Sequence, residues 1–258
     1  MVSWAHFEQL GEEYAGARPP YPEALYDALE TEGVVGPGVR VLEIGAGAGL
    51  ATRELVRRGC DVVAVEPGVR LASVLEDTVP GVQVVVARLE ETDLPERAFD
   101  AAVAATSLHW VDLTVGLPRI HAALRPGGRL AVWRTVFRDE AVETPFRDRV
   151  ARIVAARQAR GGEDRRVPER PTMEELASGG WFEPVRSERW RRSVVLTTDQ
   201  VHRLFLTFSD WRPAEADAAA QAADDLGGEV TEHYQTVLHL LRGAESSDGG
   251  DPDLHARS

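Results

Sequence analysis

Three glycines at alternate positions, Gly45, Gly47 and Gly49, stand between the apolar run Val41-Leu42-Glu43-Ile44 and an Ala/Leu-containing segment reaching Arg58. The pattern reads as strand, tight turn and helix start. Glycine suits such a turn because it accepts positive φ and, lacking a Cβ, lets a ligand lie against the backbone. Helix N-terminal amides attract phosphate at such a place, so a dinucleotide is the first ligand to weigh. Two features speak against it. The spacing is G-x-G-x-G, with Leu50 where the pyrophosphate fingerprint puts its third glycine. Glu43 lies in the strand two residues before the first glycine, where a carboxylate repels phosphate but can order the turn or receive a cationic amino group.

A second acid, Glu66, follows the strand-like run Asp61 to Val65 and precedes Pro67. It stands about 20 residues beyond the glycine turn, where a doubly wound sheet reads ribose hydroxyls, since a carboxylate accepts two hydrogen bonds from a vicinal diol. A third group of candidates lies in A-T-S-L-H-W-V-D, residues 105 to 112, after the apolar run Phe99 to Ala105. Ligands of open α/β sheets sit beyond the carboxyl ends of the strands, so Ala105 and Thr106 are expected at a cofactor and Ser107, His109 and Trp110 at a second reactant. His109 admits two readings: a general base, with a pKa near working pH, or a residue that holds its loop by hydrogen bonds.

Short apolar runs alternate with helical stretches around these positions. Strands are expected at 39–44, 61–65, 82–87, 99–105, 129–136 and 185–196. Helices are expected at 23–29, 50–58, 68–77, 115–124, 143–159, 198–208 and 213–226, with Thr172 to Glu175 capping a further short one. H-Y-Q-T-V-L-H-L-L at 233–241 favours a seventh strand by its β-formers, with a helix as the alternative. Trp4, Phe7, Leu10 and Tyr14 suggest an amphipathic N-terminal helix, ended by A-R-P-P-Y-P at 17–22. Phe137, Phe146 and Trp181 are candidate pocket residues or core aromatics, and 246–258 reads as a disordered tail.

The length, 258 residues, suits one α/β domain. With 42 acidic against 29 basic residues, a nucleic-acid partner is not expected. Every basic residue is arginine, a sign of codon usage more than of mechanism. The one cysteine, Cys60, excludes an internal disulfide framework, and the histidines do not cluster at metal-ligand spacing. The N-terminus lacks signal-peptide features and no apolar run approaches the roughly 18 residues of a membrane span, so a cytoplasmic chain, monomer or homodimer, without a membrane partner is expected.

Taken together, Glu43 to Gly49 as E-x-G-x-G-x-G, Glu66, H-W at 109–110 and L-R-P-G-G at 124–128 resemble the class I S-adenosylmethionine-dependent methyltransferases. The resemblance runs from about Tyr14 to Arg242 and is closest to the small-molecule type 11 and trans-aconitate-methyltransferase-like group. It implies an α/β, Rossmann-like fold: a seven-stranded, mostly parallel sheet with an antiparallel final strand and a helical substrate cap. The implied organisation is an N-terminal helical lid over 1–35, the domain over 36–242 with a cap insertion at about 137–180, and a tail over 243–258. It implies S-adenosyl-L-methionine as cofactor, S-adenosyl-L-homocysteine as product and direct methyl displacement onto a small molecule. By this resemblance Tyr14 and Arg18 meet the methionine carboxylate, or else pack the N-terminus on the sheet. Glu43, Gly45, Ala46, Gly47 and Gly49 cradle the cofactor, Glu66 and Pro67 face its ribose, and Leu89 and Glu90 offer amides to the adenine. Arg88 stands where the family has an acid, which replaces a carboxylate contact with guanidinium stacking on the base. Ala105 and Thr106 line the cofactor, and His109 is the candidate catalytic base. Two rivals are a protein that binds the same cofactor without transferring methyl, and an NAD-linked oxidoreductase, disfavoured by the glycine spacing.

Overall fold

A computed structural model describes residues 16–159, 170–208 and 210–245. The expected N-terminal helix with Tyr14, the polar break at 161–168 and the tail from 246 lie outside the described residues.

β1 (Arg40–Ile44), β2 (Asp61–Val65), β3 (Gln83–Val85), β4 (Phe99–Ala105), β5 (Leu124–Val136), β6 (Phe182–Thr197) and β7 (Glu229–Gly243) form one sheet in the order β3-β2-β1-β4-β5-β7-β6. β1 to β5 run parallel, and β7 is antiparallel to both β5 and β6. The expected Rossmann-like, mostly parallel sheet with an antiparallel final strand is therefore the fold. The order reverses between β1 and β4, so the crevice beyond their carboxyl ends is the place such sheets offer to a ligand.

β1 is hydrogen-bonded on both edges and covered on both faces, which is why four of its five residues are buried and why it reads as a continuous apolar run. α1 (Glu23–Thr31) and α2 (Thr52–Arg57) pack Leu25, Leu29 and Leu55 against Val41, Val103 and Trp133 on one face. α4 (Leu113–Ala123), which follows α3 (Val69–Thr78) in the chain, covers the other face with Leu117 and Ile120 on Leu42, Ala104 and Leu130. A third core joins α5 (Pro145–Ala159), α7 (Thr198–Leu206) and α8 (Pro213–Asp224) to the far end of β7 through Phe146, Leu204, Phe205, Ala219 and Tyr234. Helices from before and after β6 thus share one core, which extends beyond the cap insertion expected at about 137–180.

Reciprocal capping boxes open α6 (Met173–Ala177), through Thr172 and Glu175, and α7, through Thr197 and Gln200. The chain over 233–241 is strand, not helix, because it is sandwiched between β5 and β6. β5 starts at Leu124 instead of 129: Leu124 already pairs with Phe99, and the R-P-G-G segment is an irregularity in the ladder, with Gly127 at φ 74°. β3 shrinks to three residues, β6 begins earlier, at Phe182, and α7 stops at Leu206. Of the aromatics read as pocket or core residues, Phe146 is core, buried in the third cluster, whereas Trp181 is neither, lying exposed against His121 at the amino-terminal end of β6, away from the crevice. Among the described residues no helix is long and apolar enough to cross a membrane.

Candidate active site

The turn after β1 requires glycine three times, for three reasons. Gly45, Gly47 and Gly49 have φ of 65°, 58° and 83°, which L side chains rarely adopt. A Cβ on Gly45 would also lie 2.5 Å from Ser107 Cβ, and one on Gly49 would lie 2.6 Å from Leu75 Cδ1. A Cβ on Gly47 would meet nothing within 4 Å. Two glycines therefore let the protein pack on itself, and the middle one leaves a bare backbone facing open space. That space is a cleft of about 500 Å³, part of it solvent at its mouth, with Gly45 to Ala48 as floor, Ala105 and Thr106 on one wall and Arg18 and Tyr21 on another.

Glu66 closes the rim. It is almost fully buried, and its oxygens accept hydrogen bonds from Gly47 N at 2.7 Å and Gly68 N at 2.8 Å. The acid assigned to a ribose is thus also the clamp that ties the glycine turn to the start of α3. Glu43 is different. It is wholly buried between Ala64 and Val103 of the flanking strands, beneath the turn, and neither carboxylate oxygen has a hydrogen-bond partner. Desolvation pushes its carboxyl up to about 8; the nearby Thr52 hydroxyl opposes this and the charge of Glu66 adds to it.

The loop after β4 begins with a strained residue. Thr106, β-branched, has φ of 60°, held by its amide on Trp133 O at 2.7 Å and by its hydroxyl paired with Tyr21 Oη at 3.0 Å. Ser107 donates to Ile44 O, fastening this loop to the end of β1. His109 is half-buried and packs on Trp110 with ring centres 4.9 Å apart. It makes no hydrogen bond among the described residues, so the loop-holding role read for it falls to Ser107 and to Asp112, which accepts from Thr114 N and donates its own amide to Glu90. Burial, with Arg134 and Arg18 nearby, pushes the His109 imidazole down to about 4, which leaves it neutral near pH 7. Trp110 is half-exposed, not a core residue.

Six of the residues singled out in the sequence converge here. Arg18, Gly45, Ala46, Gly47, Ala105 and Thr106 share the cleft, and Glu66 meets its floor through the Gly47 amide. Gly49 serves packing. Arg18 reaches the cleft wall while donating to Thr207 Oγ1 at 3.3 Å and Thr207 O at 3.2 Å, and its guanidinium lies 5.4 Å from the Phe137 ring centre, so it joins the lid segment to the end of α7. Leu89, buried, and Glu90 form a 3-10 turn beside β3, and Arg88 is exposed with its guanidinium 3.2 Å from Glu90. Tyr21 is a cleft residue that the sequence reading does not single out, although it stands in the same R-P-P-Y-P run as Arg18.

These groups fit the cofactor that the resemblance implies. An orphaned buried carboxylate under the turn suits a cationic head group, the side-chain-free floor at Gly47 admits close approach, and a rim carboxylate suits a diol. The sheet order and the glycine turn define the class of Rossmann-like methyltransferase folds. Residues 42–132 match the methyltransferase domain family, so this stretch of the chain is similar to that domain. An uncharacterized methyltransferase of Mycobacterium tuberculosis is 41% identical over 128 residues, 49% of this chain and 50% of that one, so the chain spans about half the length of such relatives. A protein named as a type II methyltransferase from Anaeromyxobacter dehalogenans, 24% identical, superposes with a TM-score of 0.66 over 88% of this chain and 97% of that one. The [4+2]-cyclase SpnF, 18% identical, does so at 0.55 over 92% and 97%. These two likenesses are of fold.

Proposed function

We propose that this chain binds S-adenosyl-L-methionine in the glycine-turn cleft and transfers its methyl group to a small molecule by direct displacement. The observation that carries the reading is the bare backbone of Gly47, open to the cleft and clamped at its amide by Glu66. When bound, the cofactor supplies a methyl carbon made electrophilic by its sulfonium. The chain's own work is alignment and exclusion of water. Gly45 to Ala48 seat the ligand, Glu66 accepts its ribose hydroxyls, and the Leu89 to Glu90 turn offers amides to the base. Tyr21 and Thr106, joined through their hydroxyls, narrow the mouth between cofactor and acceptor. His109, neutral and without a hydrogen-bond partner among the described residues, takes the proton released as the acceptor is methylated. A net charge of −13 disfavours a nucleic acid as that acceptor.

Incubation with methyl-labelled cofactor and a panel of small acceptors tests the reading: label in product, with S-adenosylhomocysteine formed in equal amount, is expected. Binding of S-adenosylhomocysteine with conversion of an acceptor but no gain of a methyl group would favour the second reading, a cofactor-binding catalyst that does not transfer methyl. The shared fold with a [4+2]-cyclase supports keeping it. A thermal shift with NADH and none with S-adenosylhomocysteine would sink both.

A further inference from the structure

Beyond the cleft, the same face of the sheet carries polar groups that the fold leaves unanswered. In the β6–β7 ladder Arg192 pairs with Tyr234, and Trp190 with Thr236, which in turn pairs with Thr135 of β5. Directly paired residues share a face. On that face the buried Arg192 Nε and Nη2, Tyr234 Oη and Thr236 Oγ1 all lack hydrogen-bond partners. Other buried cations of the far half are matched: Arg147 binds Glu232 and Phe137 O, and Arg157 binds Asp210 and Glu215. An unmatched guanidinium among unmatched hydroxyls is costly to bury, and a fold that keeps such groups together has a use for an acceptor of several hydrogen bonds.

Their place says what that use is. Gln235, next to Tyr234, pairs with Val136 at the last residue of β5, so the cluster lies at the carboxyl-terminal end of the parallel strands, as does the glycine turn. Tyr21, which lines the cofactor cleft, packs edge-on against Trp133 of β5 at 5.8 Å and bonds Thr106 beyond β4. Desolvation lowers the pKa of the Arg192 guanidinium, and the phenols of Tyr234 and Tyr21 lie near enough to oppose that shift. In the order β4-β5-β7-β6 three strand spacings, roughly 14 Å, separate the His109 loop from β6, the span of a small organic molecule.

We propose that the methyl acceptor is an organic anion whose carboxylate or phosphate is held by Arg192, Tyr234 and Thr236, with its nucleophilic end toward Thr106 and His109. This deepens the methyltransferase reading and rests on it. Guanidinium and hydroxyl donors on one side match the oxygens of such a group, and charge-assisted bonds would repair the buried mismatch.

The test uses the full chain loaded with S-adenosylhomocysteine, probed by thermal shift with benzoate, succinate and phenyl phosphate, each beside its neutral counterpart, benzamide, succinamide and phenol. At least one anion should raise the melting temperature where its counterpart does not, and the carboxylate and phosphate arms show which oxyanion is preferred. Arg192→Met should lose at least tenfold in affinity for that anion and keep S-adenosylhomocysteine affinity within twofold, and Arg192→Lys should recover part of the loss. The ligand-free Arg192→Met protein should melt at or above the parent, since it sheds an unmatched buried charge. A lower melting temperature would mark Arg192 as structural and overturn the proposal, as would a wild-type protein that treats every anion like its neutral counterpart. Failure of the wild type to bind S-adenosylhomocysteine would instead strike the cofactor reading.

Discussion

β1, β2 and β4 are five, five and seven residues long, and the turns at their carboxyl ends are closed by their own neighbours. Glu66 takes two amides, Ser107 takes Ile44 O, and Gly45 N donates to Val65 O at 2.8 Å. β6 and β7 are sixteen and fifteen residues long, bent over by a separate helical core, and they hold the orphaned Arg192, Tyr234 and Thr236. The first region is largely organised before any ligand arrives, with Glu43 and the neighbouring Thr52 hydroxyl as exceptions. The second is polar where the fold has no use for polarity. Preorganised backbone suits a ligand that every relative of the domain would share, whereas unmatched side chains suit one that differs from protein to protein.

The sharpest way to break this contrast is within the turn itself. Gly47→Val places a branched side chain in the open floor and should cut S-adenosylhomocysteine affinity by more than a hundredfold, about 3 kcal/mol by titration calorimetry. Gly49→Ala should do the reverse. Its methyl meets Leu75 in a left-handed backbone, so roughly 2–4 kcal/mol of stability should be lost in urea unfolding while affinity in the folded fraction stays within a few-fold. Equal effects of both variants on affinity would mean that the three glycines share one role.

Glu66→Ala comes next in size. Loss of the clamp on Gly47 and of the ribose acceptors should weaken S-adenosylhomocysteine by about 1–3 kcal/mol. Unchanged affinity would leave Glu66 a structural clamp and remove the ribose from its present position.

What was legible in the sequence follows the same division. The glycine turn and Glu66 sit within 24 residues of one another, from Glu43 to Glu66, and their meaning is local: alternate glycines after an apolar strand, an acid after the next strand. Tyr21 acts through Thr106, 85 positions away, and local spacing carries no sign of that partner. Arg192 stands in R-W-R-R, which reads as a polar edge strand until the register with β7 is known. Residue type left Phe146 open between pocket and core and misled at Trp181, because an aromatic side chain announces burial or contact but not which end of the sheet it will occupy. Glu43 is unusual by its place in the strand, yet its full burial beside Thr52 depends on the strands and helix that surround it, three separate segments of the chain.

The smallest effect expected, and the most specific, is on pH dependence. In the folded, ligand-free protein Glu43 keeps its proton up to about pH 8, against an ordinary value of 4.5. Its contribution to stability is whole below 4.5 and is lost as pH rises toward and through 8, because the unfolded chain binds fewer protons over that window. His109 acts with the opposite sign: with a folded value of about 4 against 6.5, it costs stability as pH falls from 6.5 toward 4. Glu43→Gln should therefore flatten the fall in melting temperature between pH 4.5 and about 8 and leave the ligand-free variant more stable than the parent at pH 8. Added S-adenosylhomocysteine should reverse the order, since the parent gains an ammonium partner for its carboxylate and the variant does not. If the variant kept the parent's slope between pH 4.5 and 8, or gained as much from the ligand, the buried acid beneath the turn would have no part in receiving the cationic head group.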